Sequence, residues 1–128
     1  MRAGAFGSAC AAALLCACVQ APPAPQGLMD VATRPAESAL LGGIRAYEDA
    51  QYTAAEAQLR TALAAGLASP KDRAAAHKFL AFIACSSGRP AECEADFREA
   101  RAADPAFALT RPEAGHPVWG PVYRRIAP

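Results

Sequence analysis

The chain has 128 residues, with 13 Lys and Arg against 12 Asp and Glu, so it is one domain at most and lacks the basic stripe of a nucleic-acid binder. Its hydrophobic fraction of 53% is mostly small in size: 35 residues are alanine and only nine are aromatic. Alanine is the best helix former and buries little area, and the punctuated Val-, Ile- and Thr-rich runs of a β domain are absent. What remains is a small all-α protein whose core comes from closely packed helices.

Arg2 opens a positive start, followed by an apolar run from Ala3 to Ala17. The run falls short of the roughly 20 residues that span a bilayer and has the layout of a secretory signal. It ends in Leu15-Cys16-Ala17-Cys18, with Leu at −3 and a small residue at −1 relative to Cys18. This resembles the lipobox of bacterial lipoproteins, which implies a signal peptide over residues 1–17 and lipidation of Cys18. The competing reading is ordinary cleavage and a free periplasmic protein. Val19 after Cys18, in place of Asp, implies sorting to the outer membrane in that class. Two or three acyl chains would make the anchoring stable, since one alone is marginal.

Residues 18–35 follow as a tether carrying Pro22, Pro23, Pro25 and Pro35, interrupted by Leu28, Met29 and Val31. Such a composition reads as an extended spacer, about 3.1 Å per residue where polyproline-like.

Residues 36–106 hold an internal repeat. Tyr52 to Leu63 aligns with Pro90 to Arg101 at an offset of 38 residues, matching Ala55 with Cys93, Leu59 with Phe97, Arg60 with Arg98 and Ala62 with Ala100. Small, large four residues on, then small three after that resembles the second helix of a tetratricopeptide repeat, and Asp104-Pro105 supplies its closing proline. In the first helices, Leu80-Ala81 and Ala84 stand where that motif has L-G-x-x-Y, and Gly42-Gly43 and Tyr47 occupy the region in the first copy. The fold expected is two tetratricopeptide-like helical hairpins, about four helices. Thr53-Ala54-Ala55-Glu56 reads as a capping box, and Ser69-Pro70-Lys71-Asp72 as an N-cap with Pro at N1. Gly42 and Gly43 inside a helix imply close approach of a neighbour to offset about 1 kcal/mol each.

Two repeats bury too little alone. Residues 107–128 supply a cap: an irregular, proline-bounded stretch and then a short helix near Pro121, with Trp119, Tyr123 and Ile126 spaced i, i+4, i+7.

Cys85 and Cys93 flank the turn Ser86-Ser87-Gly88-Arg89. In an oxidising periplasm they can form a disulfide; the other reading is two small buried thiols, Cys93 lying where the repeat wants Ala. The distance between their Cα atoms decides, since a bridge needs about 7 Å or less. No catalytic constellation, cofactor motif or metal-ligand spacing is present: Ser86 and Ser87 lack a nucleophile-elbow context, His77 reads as a structural histidine, and His77 and His116 are not spaced as ligands with either Cys. The alternating charges Glu92, Glu94, Asp96 and Glu99 read as a solvated helix face. A repeat of this kind resembles modules that bind protein partners in a concave groove lined by first helices. That implies Leu40, Ile44 and Tyr47 from the first copy and Lys78 and Phe82 from the second as partner-binding residues, with Trp119 beside them, unless the C-terminal segment fills the groove.

Taken with His77-Lys78-Phe79-Leu80-Ala81-Phe82, the cysteine pair, Asp104-Pro105-Ala106-Phe107 and the Gly115-His116-Pro117-Val118-Trp119-Gly120-Pro121 stretch, the chain resembles the TssQ-type lipoproteins encoded with bacterial type VI secretion systems. The resemblance implies a non-enzymatic, periplasm-facing outer-membrane accessory acting through protein contacts, with no small-molecule substrate. A pilotin-like or outer-membrane-assembly lipoprotein of another envelope machine would share the architecture.

Overall fold

A computed structural model describes Gly27 and residues 34–127. The expected signal segment, Cys18 and the bulk of the expected tether, including Leu28, Met29 and Val31, lie outside the described residues. The described chain is all-α, with helices α1 (Pro35–Glu48), α2 (Tyr52–Ala65), α3 (Pro70–Ser86), α4 (Pro90–Ala103), α5 (Arg111–Ala114) and α6 (Gly120–Ile126). α1 packs on α2 and α3 on α4 as two helical hairpins, α3 also meets α2 and α1, and α6 lies on α4.

The 38-residue offset holds in three dimensions. α2 and α4 begin and end at equivalent positions, and the triplets Ala55, Leu59, Ala62 and Cys93, Phe97, Ala100 are all 0% exposed. The hairpin turns are equivalent as well. Gln51 N–H donates to Ala46 O and Ala50 N–H to Tyr47 O; Arg89 N–H donates to Ala84 O and Gly88 N–H to Cys85 O. In both copies the left-handed residue falls at the same place, Ala50 at φ 58° and Gly88 at φ 73°. The register therefore sets Ala46, not Tyr47, opposite Ala84; Tyr47 is the counterpart of Cys85.

Gly43 has the close approach its position implies. A Cβ there would lie 2.8 Å from Leu59 Cγ and 3.2 Å from the Leu59 backbone nitrogen, so α1 and α2 touch through backbone. Gly42 faces only the end of the Gln58 side chain.

The caps divide differently from the sequence motifs. Ser69 caps α3, its hydroxyl accepting from Asp72 N–H at 3.3 Å, with Pro70 opening the helix. The expected box at Thr53 does not form. α2 starts two residues earlier, behind Gln51, so Thr53 lies within its first turn, and Glu56 is taken by arginines. A full capping box lies instead at the start of α5, where Thr110 Oγ1 accepts from Glu113 N–H and Glu113 Oε2 accepts from Thr110 N–H. The pattern Thr110-x-x-Glu113 signals it.

Two apolar clusters form the core. One joins α1, α2 and α3 through Leu40, Leu59, Leu80 and Ile83. The other joins α3, α4 and the C-terminal segment through Phe82, Cys93, Phe97, Leu109, Trp119 and Val122. Tyr47 and Phe79 pack against both.

Candidate partner-binding site

On the first-helix side, the second hairpin is covered. After α5 the chain carries Trp119 onto Phe82, the ring centroids 4.2 Å apart and nearly parallel. His116 stacks on the opposite face of the indole at 3.4 Å. Trp119 Nε1–H donates to the Glu113 carbonyl at 2.9 Å, satisfying the polar edge that a buried indole brings. Gly120 is obligatory: a Cβ there would meet the Ala114 carbonyl oxygen at 2.5 Å. Pro121 then sits in the first turn of α6, whose missing N–H costs nothing there. The Tyr123 ring meets Phe97 at 5.3 Å, and its hydroxyl accepts from Leu109 N–H at 3.2 Å. Each residue of the His116–Pro121 stretch apart from Pro117 and the exposed Val118 thus has a structural task in closing the repeat.

This closure changes the standing of three residues expected to face a partner. Phe82 is 3% exposed and Trp119 9%, because each covers the other; Leu40, at 5%, is taken up between the helices of the first cluster. These three are core, not open groove. Lys78 is half-buried. Its Nζ lies 2.8 Å from Glu113 Oε1 and 4.9 Å from the centre of the Phe79 ring, so it ties α3 to α5 rather than standing free. Burial alone would raise the Glu113 carboxyl, but the hydrogen bonds from Lys78 and the Thr110 amide hold it below the ordinary value.

The first hairpin stays open. Leu41 is 42% exposed, with Ile44 and Tyr47 half-buried along the same side of α1. By the 38-residue offset, Leu41 and Ile44 are the counterparts of Phe79 and Phe82; Trp119 covers Phe82, whereas Leu41 is exposed and Ile44 is only partly buried against the first cluster. Tyr47 joins Phe79 at 5.0 Å and Tyr52 at 5.6 Å in an aromatic group at the border. Burial, then the nearby Tyr52 and Glu113, pushes its hydroxyl above the ordinary value.

Cys85 and Cys93 are joined as a disulfide, their Cα atoms 5.1 Å apart, tying the end of α3 to the first turn of α4. Two of the acids expected on a solvated face are cross-links instead. Asp96 Oδ1 meets His77 Nδ1 at 2.8 Å, and Glu94 reaches both Arg98 and Arg125. Glu56 is the counterpart of Glu94 and repeats the arrangement, reaching Arg60 on its own helix and Arg89 at the next hairpin, both at 2.8 Å. Sequence reading missed this pairing of repeats, though its signal is the shared E-x-x-x-R spacing. Among the described residues no group of three His, Cys, Asp or Glu could hold a metal ion, and no helix is long and apolar enough to cross a membrane. No protein-family model matches the chain, and comparison with curated proteins and with solved structures finds no significant match.

Proposed function

We propose that this chain is a periplasm-facing lipoprotein, anchored in the outer membrane through Cys18, that serves as an accessory or scaffold of a type VI secretion system by binding its protein components. The observation that carries the binding part is the apolar side of α1, where Leu41 is exposed beside the half-buried Ile44 and Tyr47, while Phe82, the counterpart of Ile44, is covered by Trp119 in the second copy. An exposed apolar stripe at helical spacing suits a partner helix or an extended segment. The anchor and the envelope setting are supported by the Leu15–Cys18 pattern, and a disulfide between Cys85 and Cys93 suits an oxidising compartment. The assignment to a type VI machine is supported by the resemblance of the cysteine pair and the Gly115–Pro121 stretch to TssQ-type lipoproteins.

Crosslinking of the protein in native membranes, followed by capture and mass spectrometry, tests this reading. Type VI membrane-complex or sheath components are the expected catch, reduced by Leu41→Asp. Capture of pilus, secretin or outer-membrane assembly subunits instead assigns the protein to another envelope machine. Cys18→Ser should move it from the membrane to the soluble fraction; persistence with the membrane overturns the anchor.

A further inference from the structure

We infer that the stretch Leu28–Val31, just ahead of the helical domain, docks in cis along the exposed apolar side of α1 and competes there with a protein partner. This rests on the reading of that side as the partner-binding surface and supplies its regulation.

The face itself is made of described residues. Leu41 and Ile44 lie between Glu37 and Glu48 at the i, i+4, i+7, i+11 spacing of one helix stripe. Among the described helices α1 packs on α2 and α3 alone, and neither covers Leu41, which is 42% exposed. Half-buried Tyr47 borders the far end of the stripe and has the exposed Tyr52 beside it at 5.6 Å. In the second copy a later segment of the same chain covers the counterpart of Ile44, with Trp119 stacked on Phe82 at 4.2 Å. The first copy has no such segment after it, and the stretch available in cis is the one before it.

That stretch carries suitable side chains. In residues 20–33 the only large apolar ones are Leu28, Met29 and Val31, and a solvated spacer gains nothing from them, whereas burial of each is favourable. The chain enters the domain at Arg34, the N-cap of α1, with φ −88° and ψ 127°, the extended form favoured before Pro35. The Arg34 guanidinium lies 3.6 Å from Glu37, at the near end of the stripe.

The lengths match. A polyproline-like chain advances about 3.1 Å per residue with three residues per turn, and the helix about 1.5 Å per residue. Laid back along α1 from Arg34, Val31 is about 9 Å along, Met29 about 16 Å and Leu28 about 19 Å. On the helix Leu41, Ile44 and Tyr47 are about 11, 15 and 20 Å from the same point. The three-residue turn sets Val31 and Leu28 on one side, over Leu41 and Tyr47, with Met29 next to Ile44. Asp30 falls within reach of Arg45, an exposed cation with no ion-pair partner among the described residues. Apolar groups meet apolar groups and one acid meets one base, so the register is specified by both.

The test compares the native full chain with the Leu28→Asp/Val31→Asp double variant in detergent micelles, using methyl NMR and a soluble paramagnetic agent. In the variant the Leu41 and Ile44 methyl signals should shift and be broadened by the agent at least twofold more, with those of the buried Leu59 and Val122 unchanged. Unchanged Leu41 and Ile44 signals would overturn the inference. So would protection of Leu41 that rises with protein concentration, which makes a second copy the occupant. In native membranes the variant should capture at least twofold more of the partner than the native chain, and equal capture would overturn the competition. The NMR comparison needs no partner, so its failure is separate from failure of the crosslinking experiment.

Discussion

The two hairpins share a backbone plan and differ in what secures it. Both close through the same turn and bury a small-large-small triplet at 0% exposure. The second adds a disulfide, a glycine at the left-handed turn position and an aromatic cap. The first has a backbone-to-backbone contact at Gly43, an alanine in the left-handed position and an uncovered apolar side on α1. Repetition supplies the architecture, while the added cross-link and cap belong to the second copy and the exposed apolar side, the surface proposed for a partner, lies on the first.

Trp119→Ala tests this division most strongly. It removes the indole between Phe82 and His116, so thermal unfolding should show a loss of about 3–5 kcal/mol. A loss below about 1 kcal/mol would make the cap an appendage and leave the second hairpin no more secured than the first. Replacing Cys85 and Cys93 together by Ala removes a short cross-link and should lower stability by about 2–3 kcal/mol in denaturant titration, with reductant affecting the native protein and not the variant. Gly43→Ala forces a methyl against Leu59 and should cost about 1–3 kcal/mol. Gly42→Ala next to it meets only a movable Gln58 terminus and should be neutral or gain up to about 1 kcal/mol. If the two glycine variants behave alike, the α1–α2 contact is not the one described.

Smaller effects sharpen the comparison. Ala50→Gly makes the first turn like the second and should stabilise by about 1 kcal/mol, since a non-glycine residue in the left-handed region is strained by about that much. Hydrogen bonds from Arg89, then Arg60, hold the Glu56 carboxyl at about 2, well below its ordinary 4.5. A carboxyl depressed on folding stabilises fully above its unfolded value and loses that contribution as pH falls towards its folded one. Glu56→Gln should therefore cost about 1 kcal/mol at neutral pH, with the difference from the native protein vanishing between about pH 4.5 and 2. A difference that persists at pH 2 would point to packing rather than charge.

Much of the fold is legible in local patterns. The Ser69 cap with Pro70, the 38-residue offset and the start of the last helix near Pro121 depend on residues close in sequence, and the structure places them as read. The capping box at Thr53 fails because α2 begins at Tyr52 and takes Thr53 into its first turn, and Glu56 pairs with two arginines, one of them 33 residues away. The contacts of Asp96 with His77 and of Glu94 with Arg125 also join residues far apart in sequence, 19 and 31 positions. A charged helix face reads as solvated until its neighbours are known.

The amino-acid sequence by itself determined the helical class, the repeat, the turns and the need for a cap, because periodicity, glycine and proline act over a few residues. Tertiary structure alone decided which groove positions remain exposed. Leu40, Phe82 and Trp119 have the same apolar character as Leu41 and Ile44. They are core because the C-terminal segment and the neighbouring helices arrive over them, and burial is a property of what packs on a residue, not of the residue itself.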